Sequence, residues 1–325
     1  LQEQTQFRKK RVALHQVSHL ITMALLVSIR SSISSLILVI SLATATVFPA
    51  HAAQTPPAMF VFGDSLSDVG NNNALPDGFH ANFAHYGVDF PGGVATGRFT
   101  NGYNFIDVIA QHLGFEQSPP AFVSVSRGDN PVSKGVNFAS GGSGIMVECM
   151  DGTAKKCITM DEQIDNFKRV RTLLEQQLGS KDMTNKLVSN SLFVFTCGGN
   201  DLNNFFDKHS FLFPFAPIDE YVANLTSAFN SQLRELYEFG GRKFAVINVP
   251  AIGRIPTARA LDVLNIIGIN FERVLNGYAR KFNEAEAAML RGLSSTLPGM
   301  KYSIGNAYSV IMDVTNNPKK YGEIN

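Results

Sequence analysis

The sequence contains little cysteine and almost no net charge. Its 325 residues include three cysteines, 28 basic and 27 acidic side chains. Cys149 and Cys157 are eight residues apart and Cys197 stands alone, a spacing that does not fit a structural zinc site. No basic stripe is present, so nothing indicates binding to nucleic acid. Hydrophobic residues make up 45% of the chain, which is typical of a globular protein with a sizeable core.

The chain also lacks a hydrophobic run long enough to span a membrane. Its apolar segment 33–48 (ISSLILVISLATATVF) is shorter than the roughly 20 residues that a membrane-spanning helix needs. Arg30 precedes this segment, and Ala50-His51-Ala52 after it offers an A-x-A cleavage site. The pattern predicts a secretory signal peptide over about residues 23–52, with an uncleaved signal anchor as the alternative. We therefore expect a secreted, extracellular protein with no stable membrane span.

Secretion changes what the cysteines predict. Cys149 and Cys157 flank a polar loop and can pair in an oxidising compartment. Cys197 follows an apolar run and is expected to be a buried thiol. Asn224-Leu225-Thr226 is a glycosylation sequon if its helix face is exposed.

The chain divides into residues 1–53, an upstream leader with the signal peptide, and residues 54–325, one domain. Within the domain, short apolar runs alternate with amphipathic segments. Strands are predicted at 59–62, 135–139, 192–196, 243–249 and 301–304, and helices at 102–113, 161–178, 219–239 and 270–293, with a final helical turn at 309–314. This alternation is typical of crossover units, so the predicted fold class is α/β, a three-layer α/β/α sandwich around a parallel sheet.

The most informative segment is residues 59–73, MFVFGDSLSDVGNNN. Its apolar run stops at Gly63, so Ser65 follows a strand end, at the edge where open α/β folds place ligands. If a helix begins there, its free N–H groups suit a developing negative charge, and Ser65 is a candidate nucleophile. The alternative is that Ser65 only caps the next helix.

Two later predicted strands end in similar polar and glycine-rich signatures. The strand at 135–139 is followed by Ser140-Gly141-Gly142, and the strand at 192–196 by Gly198-Gly199-Asn200-Asp201. Because the carboxyl ends of parallel strands lie along one edge of a sheet, we expect these signatures to converge with Ser65.

Such a convergence is suited to acyl transfer, which needs a nucleophile and hydrogen-bond donors for a tetrahedral oxyanion. Ser65 is the candidate nucleophile, and its own N–H is a candidate donor. Gly142 can offer a second N–H because a residue without a Cβ lets a substrate approach closely. The side-chain amide of Asn200 can offer a third.

Each signature also has a simpler structural explanation. Gly141 to Gly144 can form a plain turn, Asn200 can cap a helix, and Asp201 can interact with a helix dipole. Asp64 and Asp68 are expected to order the loop around Ser65. They do not predict a metal site, since no nearby His or Cys completes one.

These blocks resemble the GDSL family of the SGNH hydrolases, in its secreted plant branch. The resemblance puts Ser65 at the nucleophile, Gly142 at the oxyanion glycine, with Gly141 as the neighbouring alternative, and Asn200 at the oxyanion asparagine. Further segments match at 95–114, 248–256 and 316–322. The likeness covers essentially all of the domain, and it implies a flavodoxin-like fold and the hydrolysis of carboxylic esters without a cofactor.

The last block of that family, D-x-x-H-P, is missing, since the last histidine of the sequence is His209. It normally supplies the base and its orienting aspartate. Asp77-Gly78-Phe79-His80 matches the spacing, but we interpret it as a coincidence, and His85 and His209 as surface or rim residues. We therefore expect a C-terminally truncated sequence that lacks the last segment of the fold. The sequence leaves open whether the chain as given is active.

Two functions follow as hypotheses. The first is a serine esterase or lipase that acts through an acyl-enzyme on Ser65. Its substrates would be acyl lipids, cutin-like polyesters, acetylated wall polysaccharides or small esters. The second is a non-catalytic secreted protein that binds an ester or a polysaccharide on the same fold, which the missing histidine favours. The sequence does not indicate an oligomeric state.

Overall fold

Five parallel strands form the central sheet of the computed structural model, which describes residues 55–126, 132–146, 149, 156–209, 216–264 and 270–322. The strands are β1 (Met59–Gly63), β2 (Gly135–Asn137), β3 (Leu192–Thr196), β4 (Lys243–Ile247) and β5 (Lys301–Gly305). Their order across the sheet is β2-β1-β3-β4-β5, and every neighbouring pair is parallel. β1 lies between β2 and β3, so the ends of these three strands are neighbours.

Nine α-helices surround the sheet within the described residues. They are α1 (Phe105–His112), α2 (Phe122–Ser126), α3 (Met160–Leu178), α4 (Lys181–Asn190), α5 (Gly199–His209), α6 (Ile218–Glu238), α7 (Pro256–Leu264), α8 (Phe271–Thr296) and α9 (Ala307–Asn316). Short 3-10 helices lie at Asn72–Ala74, Ile252–Arg254 and Pro318–Tyr321. The prediction found α1, α3, α6 and α8 and the middle of α9, and it missed α2, α4, α5 and α7.

Side chains from both faces of the sheet are buried under helices. Phe60 and Phe62 of β1 point to one face, where Phe62 and Phe195 of β3 stack with ring centroids 5.0 Å apart. Val61 points to the other face and packs with Ile106 of α1. Parallel strands covered on both faces form continuous apolar runs, which is why they were predictable. The three-layer α/β/α prediction is confirmed.

β2 is shorter than the predicted strand 135–139. It ends at Asn137, whose side-chain oxygen accepts a hydrogen bond from the N–H of Ala139 at 3.0 Å. This local bond is an Asx-turn. The chain still stays beside β1 after Asn137, because the N–H groups of Phe138 and Ser140 donate to the carbonyls of Val61 and Gly63, at 2.7 and 3.0 Å.

Two expectations about the cysteines agree with the structure. Cys149 and Cys157 form a disulfide with their Cα atoms 5.7 Å apart, and Cys197 is a buried free thiol. Asn224 is exposed on α6. In the described part of the chain, no helix has both the length and the apolar character to cross a membrane.

Glu286 of α8 is fully buried, and within the described residues its carboxyl oxygens have no hydrogen-bond partner. Burial raises its pKa from an ordinary 4.5 to about 8. The fold therefore favours the neutral acid, and stability present below pH 4.5 is lost as the pH rises through about 8. Between pH 5 and pH 9 the parent should therefore lose on the order of 2–4 kcal/mol of its free energy of unfolding. Glu286→Gln, which cannot ionise, should not show this loss.

Denaturant unfolding at both pH values measures this difference. Glu284→Gln is the matched control, since Glu284 is exposed on the same helix. An unchanged pH dependence in Glu286→Gln would contradict the assignment of a neutral buried acid.

Candidate active site

Ser65 lies in a tight turn directly after β1 and is half-buried. No helix begins at Ser65, so the condition that a helix starts directly after β1 is not met. Instead the N–H groups of Ser67 and Asp68 donate to the carbonyl of Asp64, at 3.1 and 3.0 Å. The Asp64 carboxylate also accepts from the N–H of Leu66 at 2.9 Å. Asp64 therefore caps the turn, and the Ser65 hydroxyl forms no hydrogen bond with any residue that the structure describes.

Asp68 connects the turn that holds Ser65 to the glycine loop after β2. Its carboxylate accepts from the N–H groups of Gly70 and Asn71, both at 2.8 Å, and of Asn72 at 3.3 Å. It also accepts from the N–H of Gly141 at 3.0 Å. The expectation that Asp64 and Asp68 order this loop is confirmed.

Both carboxyl groups ionise at unusually high pH. Burial raises the pKa of Asp64 to about 7, against hydrogen bonds that lower it, and the charges of Asp201 and Asp68 raise it further. Burial likewise raises the pKa of Asp68 to about 6. The backbone contacts that hold the Ser65 turn are therefore strongest above neutral pH, where both groups are charged.

Gly142 has a backbone φ of +90°, a conformation that L side chains rarely adopt. A Cβ there would lie 3.0 Å from the ring of Phe79. Within the described structure its N–H has no acceptor, whereas the N–H of Gly141 is taken by Asp68. Of the two glycines, Gly142 is therefore the one with a donor left for a ligand.

Gln163 of α3 fastens the end of β1 to the same glycine loop. Its side chain pairs with both backbone groups of Gly63, at 2.8 and 2.9 Å. Its amide also donates to the hydroxyl of Ser143 at 3.1 Å. Sequence reasoning missed this residue. The one available signal was a glutamine on the buried face of a predicted amphipathic helix.

Asn200 lies inside the first turn of α5, so it is not the helix cap. Its side-chain amide donates to the carbonyl of Ser143 at 2.8 Å, which occupies one of two N–H bonds. Next to it, the buried Asp201 accepts from the N–H groups of Ile145 and Met146, both at 2.8 Å. The loops after β2 and β3 are thus joined at two points.

The three predicted site residues come together at the carboxyl edge of the sheet. Ser65 and Asn200 line one cavity of about 580 Å³. Gly142 does not line this cavity, but its two neighbours are bonded to the same site. The N–H of Gly141 donates to Asp68, and the carbonyl of Ser143 accepts from Asn200. The opposite walls are mostly hydrocarbon and include Leu66, Phe105, Val249, Ile252, Val310 and Ile311.

Asp77 and His80 do not form an acid–base pair. The ring of His80 contacts the carbonyl of Leu75 at 2.7 Å, and Asp77 pairs with Lys156 at 3.6 Å. His85 is exposed, as expected. In the part of the chain that the structure describes, no histidine lines the cavity, and no group of three potential ligands is placed to hold a metal ion.

Gly142→Ala is expected to lower ester hydrolysis roughly 10- to 100-fold, because a misplaced group costs about that much in rate. Alanine at this φ is strained by on the order of 1–3 kcal/mol, and its methyl group meets the Phe79 ring. The loop must shift, and the N–H moves with it. Steady-state kinetics, with thermal unfolding alongside, would measure both effects.

Gly292→Ala is the control for this substitution. Gly292 is exposed on α8, and a Cβ there meets no atom within 4 Å. Full activity in Gly142→Ala would show that the N–H position at residue 142 does not matter.

An all-parallel sheet with Ser, Gly and Asn signatures at one edge is the SGNH hydrolase fold. Residues 59–322 match the GDSL-like lipase/acylhydrolase family, and the chain belongs to it. GDSL esterase/lipase At5g37690 of Arabidopsis thaliana is 35% identical over 297 residues, covering 88% of this chain and 80% of that protein. GDSL esterase/lipase APG of the same plant is 32% identical over 289 residues, covering 89% and 80%. The chain is thus a member of a family of carboxylic ester hydrolases.

Proposed function

We propose that this protein is a secreted serine esterase that hydrolyses carboxylic esters through an acyl-enzyme on Ser65. The observation that carries the proposal is the environment of the Ser65 hydroxyl. It lines the cavity without a hydrogen bond to any described residue. Asn200 lines the same cavity, and the N–H of Gly142, in the adjoining loop, has no acceptor among the described residues.

In the first half-reaction, Ser65 Oγ attacks the ester carbonyl carbon and loses its proton to a base. The carbonyl oxygen becomes an oxyanion, which accepts from the N–H groups of Ser65 and Gly142 and from Asn200. The C–O bond then breaks, and the alcohol leaves with the proton. In the second half-reaction, water attacks the acyl-enzyme, the acid departs and Ser65 recovers its proton.

The base is the one part of this machinery that the described residues do not supply. The ring Nδ1 of His209 contacts the carbonyl oxygen of Phe205 at 2.9 Å, and that of His112 contacts the carbonyl oxygen of Val108 at 2.8 Å. We therefore assign the base to a histidine outside the described residues. The protein expressed from its complete open reading frame is the form to assay.

The cavity favours an aliphatic acyl group over an acetyl group. Phe105, Ile252 and Ile311 line it together with Ser65, and apolar walls gain free energy from each methylene that they cover. This supports acyl lipids or polyesters, among the predicted substrates, over acetylated polysaccharides.

The proposal of secretion rests on the predicted signal peptide and on the disulfide. The bond between Cys149 and Cys157 is typical of proteins that fold in an oxidising compartment. The exposed Asn224 is consistent with a glycan at its sequon.

The alternative is a non-catalytic binding protein, which the absence of a histidine from the described cavity lining favours. Such a protein would keep the apolar cavity for a ligand but would not need a free hydroxyl beside two unused donors.

Labelling with a fluorophosphonate separates the two functions, because this reagent reacts only with an activated serine. We expect a single adduct on Ser65, located by tandem mass spectrometry of the 59–73 peptide, and loss of hydrolysis in proportion to labelling. Ser65→Ala should take up no label. An adduct on Ser67 or another serine would refute the assignment, and an unlabelled, inactive protein that still binds esters would favour the alternative.

A further inference from the structure

The segment 79–103, here called the aromatic loop, exposes an unusual amount of apolar surface. Phe83 is 59% exposed, Val88 54%, Val94 61% and Tyr103 40%. Exposed apolar side chains scattered singly need no explanation, but several on one loop mark an interaction surface.

The loop that carries these exposed side chains is held in place by backbone hydrogen bonds between its two arms. The N–H of Gly87 donates to the carbonyl of Thr100 at 3.0 Å, and that of Asp89 to the carbonyl of Asn101 at 2.6 Å. The two arms of the loop are therefore hydrogen-bonded to each other, and its tip is held in a defined shape.

A buried ion pair anchors the loop to α1. Arg98 donates from Nε and Nη2 to the two carboxylate oxygens of Asp107, at 2.7 and 2.8 Å. Its guanidinium also lies 4.7 Å from the centre of the Phe90 ring. Bidentate pairs of this kind are geometrically specific, so they fix the orientation of the loop.

The aromatic loop packs against the glycine loop that follows β2. A Cβ at Gly141 would lie 2.6 Å from the Phe99 ring, so this ring packs directly on the glycine loop. Tyr86 contacts Phe99 with centroids 6.1 Å apart, and Phe83 contacts Tyr86 at 5.0 Å. A row of rings therefore leads from the glycine loop out to the exposed Phe83.

Apolar surface continues on the cavity side of Ser65. Leu66, the next residue, is 46% exposed and lines the cavity. Ile255 and Val310, also lining residues, are 38% and 56% exposed. Exposed hydrocarbon is thus present at the cavity itself as well as on the aromatic loop.

The charge of the aromatic loop indicates whether it would bind a charged or an uncharged surface. Its only Asp, Glu, Lys or Arg side chains are Asp89 and Arg98. Arg98 is buried and paired, and Asp89 accepts a hydrogen bond from the amide of Asn101. With no exposed cation from Lys or Arg, the loop has nothing to attract the phosphates of an anionic membrane.

We infer that the aromatic loop docks the protein on the surface of an aggregated, uncharged lipid ester, a neutral lipid droplet. Phe83, Val88 and Val94 enter the apolar phase, and the cavity mouth is held against the interface where the ester bonds lie. The inference rests on the proposed function for the choice of an ester as partner.

Because the chain contains no tryptophan, a single introduced indole reports on contact with the interface. Phe83→Trp should show a blue shift of its emission when a trioctanoylglycerol emulsion is added. Met183→Trp is the matched control, since Met183 is 54% exposed on α4, away from the loop, and its emission should not move. The Ser65→Ala background keeps the ester intact during the measurement.

Flotation with the same emulsion provides the second measurement. The double variant Phe83→Ser/Val94→Ser should lower the bound-to-free ratio at least tenfold, whereas Met183→Ser should leave it unchanged. In the active protein, the ratio of hydrolysis on emulsified ester to hydrolysis on dissolved p-nitrophenyl butyrate should fall by a similar factor.

Equal flotation of the double variant and its parent would overturn the inference, as would equal blue shifts at positions 83 and 183. Stronger binding to vesicles that contain phosphatidylglycerol than to the neutral emulsion would assign the loop to a charged membrane instead. Failure of the proposed function is distinguishable, because flotation does not require catalysis. In that case Ser65→Ala would hydrolyse as fast as its parent while docking persists.

Discussion

Ser65→Ala should lower the rate of ester hydrolysis by a factor of about 10⁶, the loss seen when a serine nucleophile is removed from a related type of mechanism. No other described side chain replaces its hydroxyl, since the neighbouring Ser67 is fully buried and bonded to Thr196 Oγ1 at 2.5 Å. Initial rates with p-nitrophenyl butyrate would measure the loss. Hydrolysis remains above the uncatalysed rate if the oxyanion donors still act on attacking water.

Two controls separate this loss from a failure to fold. Ser231→Ala removes an exposed hydroxyl on α6 that bonds only within its helix, and it should retain full activity. Thermal unfolding of Ser65→Ala should match that of the parent, because the hydroxyl has no partner among the described residues. A variant that keeps a tenth or more of the parental rate would exclude Ser65 as the nucleophile.

Asn200→Ala is expected to give the second largest loss, a fall in kcat of about 10²–10³ with little change in KM. The amide has two N–H bonds, and the carbonyl of Ser143 takes one at 2.8 Å. The other remains for the oxyanion, which carries full charge only in the tetrahedral intermediate. An interaction made only there lowers kcat and kcat/KM equally when it is removed.

The split between kcat and KM distinguishes this function from a merely structural one. If Asn200 served only to hold Ser143, its removal would lower the unfolding temperature and affect KM as much as kcat. Asn230→Ala, which removes an exposed amide bonded to Arg234 on α6, is the control and should change neither constant. A kcat of Asn200→Ala within threefold of the parent would contradict the donor assignment.

Secondary structure was predictable where burial is complete and regular. β1 and β3 are apolar runs because both faces of a parallel sheet are covered. α3 was predictable because Thr159 and Gly179 mark its two ends, with a capping box at the first and a left-handed φ at the second. α4 was missed because only Thr184 and Val188 are buried, which leaves almost no periodic signal.

The positions of the three candidate site residues along the chain were predictable. Ser65, Gly142 and Asn200 each follow a strand end, and parallel strands bring such ends to one edge. The contacts that hold them were not predictable. Gln163 comes from a helix far along the chain from Gly63, and Phe79 reaches Gly142 only because their two loops are packed together.

The alternative that Ser65 caps a helix also failed on a contact that the sequence does not show. A cap is decided by which side-chain oxygen reaches the free N–H groups of the turn. Asp64 reaches the N–H of Leu66, and this leaves the hydroxyl of Ser65 without a partner among the described residues.

Hydrophobic periodicity and residues adjacent in the chain specify the strands, several helices and the positions of the polar signatures. Three features depend on tertiary contacts: which donors stay unused, how burial raises the pKa values of Asp64 and Asp68, and the hydrocarbon lining of the cavity. Hydrogen-bond satisfaction and desolvation depend on groups that come together only after the chain folds, and no local pattern records them.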